Sequence, residues 1–179
     1  MKEKILLTSK DDAYKLLRAL DAPGHLVTHV ALVGEAAELL IKKCEALNLA
    51  IDSEFIRIGV AIHDIGKIIY TKEMFGPGSQ HEPEGQRMLL SLGVDESIAR
   101  CCMSHSRWKT MECSLEELLI ALADKLWKGK RVEELELEVI DKVASKLNKE
   151  RWDIFQDLDS HFELIAFEGD SRLNLSKNS

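Results

Sequence analysis

A chain of 179 residues with 45% hydrophobic and 31% charged side chains has the bulk and composition of one globular domain, not of a disordered segment. Its 24 basic and 31 acidic residues leave a formal charge of -7, which argues against a long nucleic-acid partner. Ten glycines and three prolines are too few turn formers for a many-stranded sandwich or barrel, so long helices are expected.

The first helical segment is predicted to open at Ser9 with Asp12, run through Ala13, Leu16, Leu17 and Leu20, and stop at Ala22-Pro23-Gly24. A long helix follows from His25 to about Leu47, with Leu26, Val30, Val33, Ala37, Leu40, Ile41 and Cys44 at helical spacing. Asp52 caps a third, mostly apolar helix through Phe55, Ile56, Val60, Ala61 and Ile62, which Gly66 is expected to end. Thr71 to Ser79 contains Gly76-Pro77-Gly78 and reads as a loop, and Ser79 with Glu82 reads as a capping box for the next helix. Another helix begins near Asp95, and Ser114 with Glu117 caps an amphipathic helix carrying Leu118, Leu119, Leu122 and Leu126. Two closing helices are expected from Val132 to about residue 168. The segment 169–179 is expected to be frayed.

The fold class that results is all-α: a compact bundle of roughly seven or eight helices in a single domain spanning 1–179. Twelve acidic and six basic residues follow Arg131, so the acidity lies mainly in the closing helices and chemistry is sought in about 24–131. Cys44, Cys101, Cys102 and Cys113 lack CxxC spacing and read as reduced thiols. The short run Ile5-Leu6-Leu7 is too brief for a signal-peptide core, and no later uninterrupted apolar stretch approaches bilayer length. A cytoplasmic location and no membrane partner are the corresponding expectations.

Two carboxylates stand where the helix pattern asks for burial. Asp64 closes the most apolar helix, in Ile62-His63-Asp64-Ile65-Gly66-Lys67, and Asp124 lies within Leu118-Leu119-Ile120-Ala121-Leu122-Ala123-Asp124-Lys125-Leu126-Trp127. A buried carboxylate needs a cation or several hydrogen bonds. Pairing of Asp64 with Lys67, beside a core histidine at His63, meets that need in one way. A divalent ion held with imidazoles meets it in another, and it also relieves the repulsion between two acids in a common core.

The order His29, then His63-Asp64-Ile65-Gly66-Lys67, then Asp124 resembles the HD-domain superfamily of metal-dependent phosphohydrolases. The resemblance covers most of the chain. It implies that His29, His63, Asp64 and Asp124 bind one metal, and that His81 and His105 match the extra histidines of the two-metal subgroup, with Asp64 bridging. One or two divalent ions are therefore implied, with Mn, Fe, Co, Ni or Zn favoured over Mg by the imidazole-rich set. The implied activity is hydrolysis of a phosphate ester or anhydride in a small, nucleotide-type substrate by a metal-activated hydroxide. Asp64 and Lys67 are the catalytic candidates. Lys67, Arg107, Trp108, Lys128 and Arg131 are the substrate-binding candidates, the last two on the Asp124 helix face if that helix continues past Gly129, while Lys125 is expected to point elsewhere. His25 is read as a pocket-rim residue, His161 as surface, and Met74 to Ser79 as a lid. The spacing from His81 through His105 to Asp124 is similar to that of the symmetrical dinucleoside tetraphosphate hydrolases; nucleotide phosphatases and cyclic-dinucleotide esterases use the same metal kit. Rival readings are a di-iron oxygenase on the same fold and a non-catalytic regulatory domain. The oligomeric state has no signature in the sequence.

Overall fold

A computed structural model describes residues 4–178; Met1 to Glu3 of the N-terminal run and Ser179 at the end of the tail lie outside them. Among the described residues there are α-helices and 3-10 turns and no strand, with α1 at Lys10–Ala19, α2 at Gly24–Ala46, α3 at Ser53–Ile62, α4 at His81–Ser91 and α5 at Glu96–Ala99. They are followed by α6 at Cys101–Arg107, α7 at Leu115–Leu126, α8 at Glu133–Lys146, α9 at Arg151–Phe167 and α10 at Gly169–Lys177. Eight of these have nine or more residues, in keeping with the all-helical bundle expected.

The predicted caps at Ser9, Asp52 and Ser114 form because each oxygen meets a backbone N–H left bare by the first helical turn. Ser9 and Asp12 make a reciprocal capping box, as do Ser114 and Glu117, and Asp52 accepts from the Phe55 N–H at 2.9 Å. The box proposed for Ser79 and Glu82 does not form. Glu82 turns away to Arg107, and the N–H groups of Gln80 and His81 are taken instead by Glu73, at 3.1 and 3.0 Å.

Helices α2, α3 and α7 pack against one another at the centre, and α6 closes on α7. Ile56, Ile62, Leu118 and Leu122 have no exposed surface there. By length and mean hydropathy α2 could also cross a bilayer, yet it is the central core helix, with Val30, Val33, Ala36 and Ile41 buried. Helices α8 and α9 form an outer layer beyond α7.

Two expectations about chain ends are corrected. Helix α3 stops at Ile62, and Gly66 lies beyond it in a 3-10 turn, Ile65–Ile68. There its missing side chain is a steric requirement: a Cβ would sit 1.9 Å from the His81 carbonyl oxygen and 2.8 Å from the Gly85 nitrogen. Glycine at this point lets α4 cross the turn backbone to backbone. The second correction concerns the tail, because residues 169–177 form α10 and do not fray. Gly169 approaches Gly129 so closely that a Cβ on it would meet the Gly129 nitrogen at 2.2 Å. Arg172, 5% exposed, donates from Nη1 to the carbonyls of Ile165 at 2.7 Å and Trp127 at 3.3 Å. That bond ties α10 to the segment just after α7.

Candidate metal centre and adjoining cleft

Five elements deliver polar side chains to one buried point. His29 comes from the second turn of α2, His63 and Asp64 from the end of α3, His81 from the first residue of α4, His105 from α6 and Asp124 from the last turn of α7. His63, Asp64, His81, His105 and Asp124 are all buried. Asp64 is central: its Oδ1 lies 3.1 Å from His81 Nε2 and 3.5 Å from His105 Nε2, and its Oδ2 lies 3.0 Å from His29 Nε2 and 3.5 Å from His63 Nε2. Asp124 Oδ1 is 3.3 Å from His63 Nε2 and 3.8 Å from His29 Nε2. The six predicted ligands are thus brought together, in overlapping triads whose donor atoms lie within 4.8 Å of one another.

The imidazoles are turned so that Nε2 faces the centre. His63 Nδ1 is 2.7 Å from the Val60 carbonyl, and His105 Nδ1 is 3.2 Å from the Cys101 carbonyl, each on its own helix. A carbonyl only accepts, so Nδ1 carries the proton in both and the Nε2 lone pair of the neutral ring is left for another partner. Nε2 of His29, His63 and His81 is buried with no directed hydrogen bond, despite the short distances to the carboxylates. Buried ring nitrogens without a directed partner are costly, and converging imidazole and carboxylate groups fit a divalent transition ion. His81 receives the same kind of support from outside the cluster, its Nδ1 bonding to Glu73 in a carboxylate–histidine pair.

Charge among these side chains is balanced by protons and lysines. Lys67 Nζ lies 2.7 Å from Asp64 Oδ2, so the simple ion-pair reading of that acid is also realised, but it engages one oxygen only. Lys125, expected to point away, reaches Asp124 Oδ2 at 3.2 Å. Burial pushes both carboxyls up, yet for Asp64 the His63, His29 and His81 imidazoles, and for Asp124 chiefly His63, outweigh it and hold them below the ordinary range. Burial likewise pulls His63 and His81 down, and the acids facing them overcome it, leaving both above 6.5. His105 goes the other way, drawn down to about 4 by burial and by the charge on His63.

A cleft of about 420 Å³ opens beside His29 and Lys67. Its walls are the start of α2, the segment Glu73 to Gly76, Trp127 with Lys128, and the far end of α10. His25 is on this rim as expected, its ring 4.7 Å from that of Phe75. Lys67 and Lys128 face the cleft. Burial draws the Lys128 ammonium below its ordinary value against the opposing charge of Asp124, and among the described residues it forms no ion pair.

Three candidates lie elsewhere. Helix α7 ends at Leu126 and Gly129 has φ +80°, so the chain turns before Arg131 and carries it off the Asp124 face. Arg131 instead forms a fork with Glu136, at 2.7 and 2.9 Å, and reaches Asp159 at 2.6 Å. Trp108 is packed in the core at 6% exposure, and Arg107 is bonded to Glu82 at 2.9 Å; neither lines the cleft. His161 bonds through Nε2 to the Leu39 carbonyl at 3.0 Å and is not among the clustered groups. Sequence reasoning missed Glu73, Trp127 and the end of α10. Glu73 carried no visible motif, Trp127 read as the last apolar residue of a helix, and α10 has too weak an amphipathic pattern to announce itself.

The family model described as the HD domain matches residues 26–127 of this chain. An uncharacterized protein of Methanocaldococcus jannaschii is 28% identical over 140 residues, which cover 70% of this chain and 79% of that protein. No solved structure gives a significant match.

Proposed function

The chain belongs to the HD-domain family, and from that premise we propose that it is a phosphohydrolase dependent on one or two divalent metal ions, acting on a small phosphate ester or anhydride of nucleotide type. The observation that carries this reading is the convergence of three buried, unbonded imidazole Nε2 atoms on two carboxylates. His29, His63, Asp64 and Asp124 would hold one ion, and Asp64, His81 and His105 a second. A bound dication supplies Lewis acidity toward water and the phosphoryl oxygens.

The side chains of this protein account for the rest. Asp64 presents one oxygen to each histidine pair and so can serve both halves of the cluster. Lys67 steadies Asp64 and also faces the cleft, where its ammonium can meet a phosphate oxygen. No serine or cysteine nucleophile is needed. The four free cysteines are buried, with their thiols pushed up in pKa by burial, in keeping with inert core residues.

The test joins metal analysis to a screen of phosphate esters with Mn or Co added. Phosphate release without oxygen uptake, lost in His63→Ala together with bound metal, is the expected result. Oxygen consumption in its place would point to the di-iron alternative. A protein with neither metal nor phosphate release would leave the regulatory reading standing and overturn the proposal.

A further inference from the structure

The cleft has more cation than the metal cluster alone requires. Lys128, from the turn after α7, and Lys177, from the end of α10, both line it, and among the described residues neither forms an ion pair. Lys177 is exposed and Lys128 half-buried, in a chain of net charge -7 where the half-buried Arg57 and Arg100 are matched by Glu38 and Glu117. Trp127 also lines the cleft. It is 5% exposed, packs edge-on against the His29 ring at 5.0 Å, and its indole N–H is buried without a partner. A cleft lined by two ammonium groups and by a tryptophan with an unbonded indole N–H has the chemistry of an anion site.

The remaining lining is mixed: Glu73 is its carboxylate and is bonded to His81, and the apolar part is Leu26, Met74, Phe75 and Leu173. Phe75, three-quarters exposed, leans on His25 at one rim, and Leu26 and Leu173 also line the cleft. The placement of Leu173 and Lys177 depends on α10 being docked, which the Gly129–Gly169 approach and the Arg172 bonds ensure. These elements lie beyond residue 127, where the family match stops.

We propose that α10 completes a substrate subsite in which Lys128, Lys177 and the Trp127 N–H bind the phosphate of a small phosphomonoester, while Phe75 and Leu173 receive its ring. This rests on the phosphohydrolase reading and narrows it. A cleft of about 420 Å³, toward the small end of the roughly 300–1,000 Å³ range of small-ligand sites, suits one nucleoside monophosphate rather than a two-nucleoside chain. Lys177 and Leu173 are specificity residues, remote from the metal ligands in sequence and attached through a separate helix.

The experiment uses the full chain loaded with Mn and measures calorimetric binding of adenosine 5′-monophosphate and of inorganic phosphate, beside turnover of p-nitrophenyl phosphate. Lys128→Gln and Lys177→Gln should each weaken binding of both anions about tenfold, with metal content and thermal midpoint unchanged. Trp127→Phe should weaken both several-fold, and Phe75→Ala should reduce the preference for the nucleotide over phosphate. Equal affinities in wild type, Lys128→Gln and Lys177→Gln would overturn the subsite, even in an active phosphatase. Tight, lysine-dependent nucleotide binding in a protein that releases no phosphate from any ester would uphold the subsite and defeat the hydrolase reading on which it was built.

Discussion

Substituting Gly66 by alanine tests whether backbone contact, and not side-chain chemistry alone, builds the centre. The added Cβ would lie 1.9 Å from the His81 carbonyl oxygen, where ordinary contact begins at 3.4 Å, a shortfall of about 1.5 Å. The Gly85 nitrogen at 2.8 Å blocks the same space. Both obstacles are backbone of α4, so no rotamer change relieves them, and the 3-10 turn and α4 must separate. Overpacking of a filled site costs about 1–3 kcal/mol, and a clash between two main chains belongs at the upper end. The separation moves His81 away from Asp64 and leaves the contacts among His29, His63 and Asp124 largely in place. Since about 1 Å of misplacement can cost on the order of a hundredfold in activity, Gly66→Ala should lose one ion of two, or bind it far more weakly, and lose most activity, while remaining helical. Metal analysis, circular dichroism and urea unfolding read these effects. Wild-type stability together with full metal content would refute the argument that Gly66 is there for the approach of α4.

Glu73→Gln keeps the shape of the link to His81 but removes its charge, and should lower affinity for the ion at His81 by roughly 10- to 100-fold, measured by competition with a chelator, with binding at His29 and His63 retained. The chelated protein should have its thermal midpoint highest near pH 6.5. His63 and His81, held above 6.5, stabilise the fold below that pH and lose this as pH rises through their folded values; His105, held at about 4, stabilises it above 6.5 and loses this as pH falls toward 4. Added metal should restore the alkaline side, because it takes the place of the protons lost there; a flat profile from pH 5 to 8 would contradict the charge balance described. Arg131→Ala leaves Glu136, 6% exposed, without its fork and should destabilise the protein by about 1–3 kcal/mol in urea, with metal content unchanged; a loss of bound metal instead would return Arg131 to the site.

Asp64 and Asp124 were legible because each violates its helix pattern by sitting amid apolar neighbours, whereas the histidines were legible as ligands only through their ordered resemblance to the HD-domain superfamily. The caps at Ser9, Asp52 and Ser114 were equally visible, being local chemistry between residues three apart. What escaped depends on partners distant in the chain. Glu73 is meaningful only once the loop folds back on His81, and Glu82 left its predicted cap because Arg107 arrives from α6. Lys125 was misdirected because a long side chain can bend back to the adjacent Asp124. The docking of α10 uses two glycines in backbone contact and an arginine bonded to carbonyls, neither of which leaves a periodic trace. Arg131 was misplaced by one unmarked event, the left-handed Gly129 that ends the helix face early.

Donors at residues 29, 63, 64, 81, 105 and 124 meet at one point, so occupancy of that point ties together successive loops across almost a hundred residues. None of these donors has its neighbours in place until α2, α3, α4, α6 and α7 have assembled, so a cross-link there forms late and is broken early. Its contribution should therefore appear mainly as a longer native lifetime, through slower unfolding, and hardly at all as faster refolding.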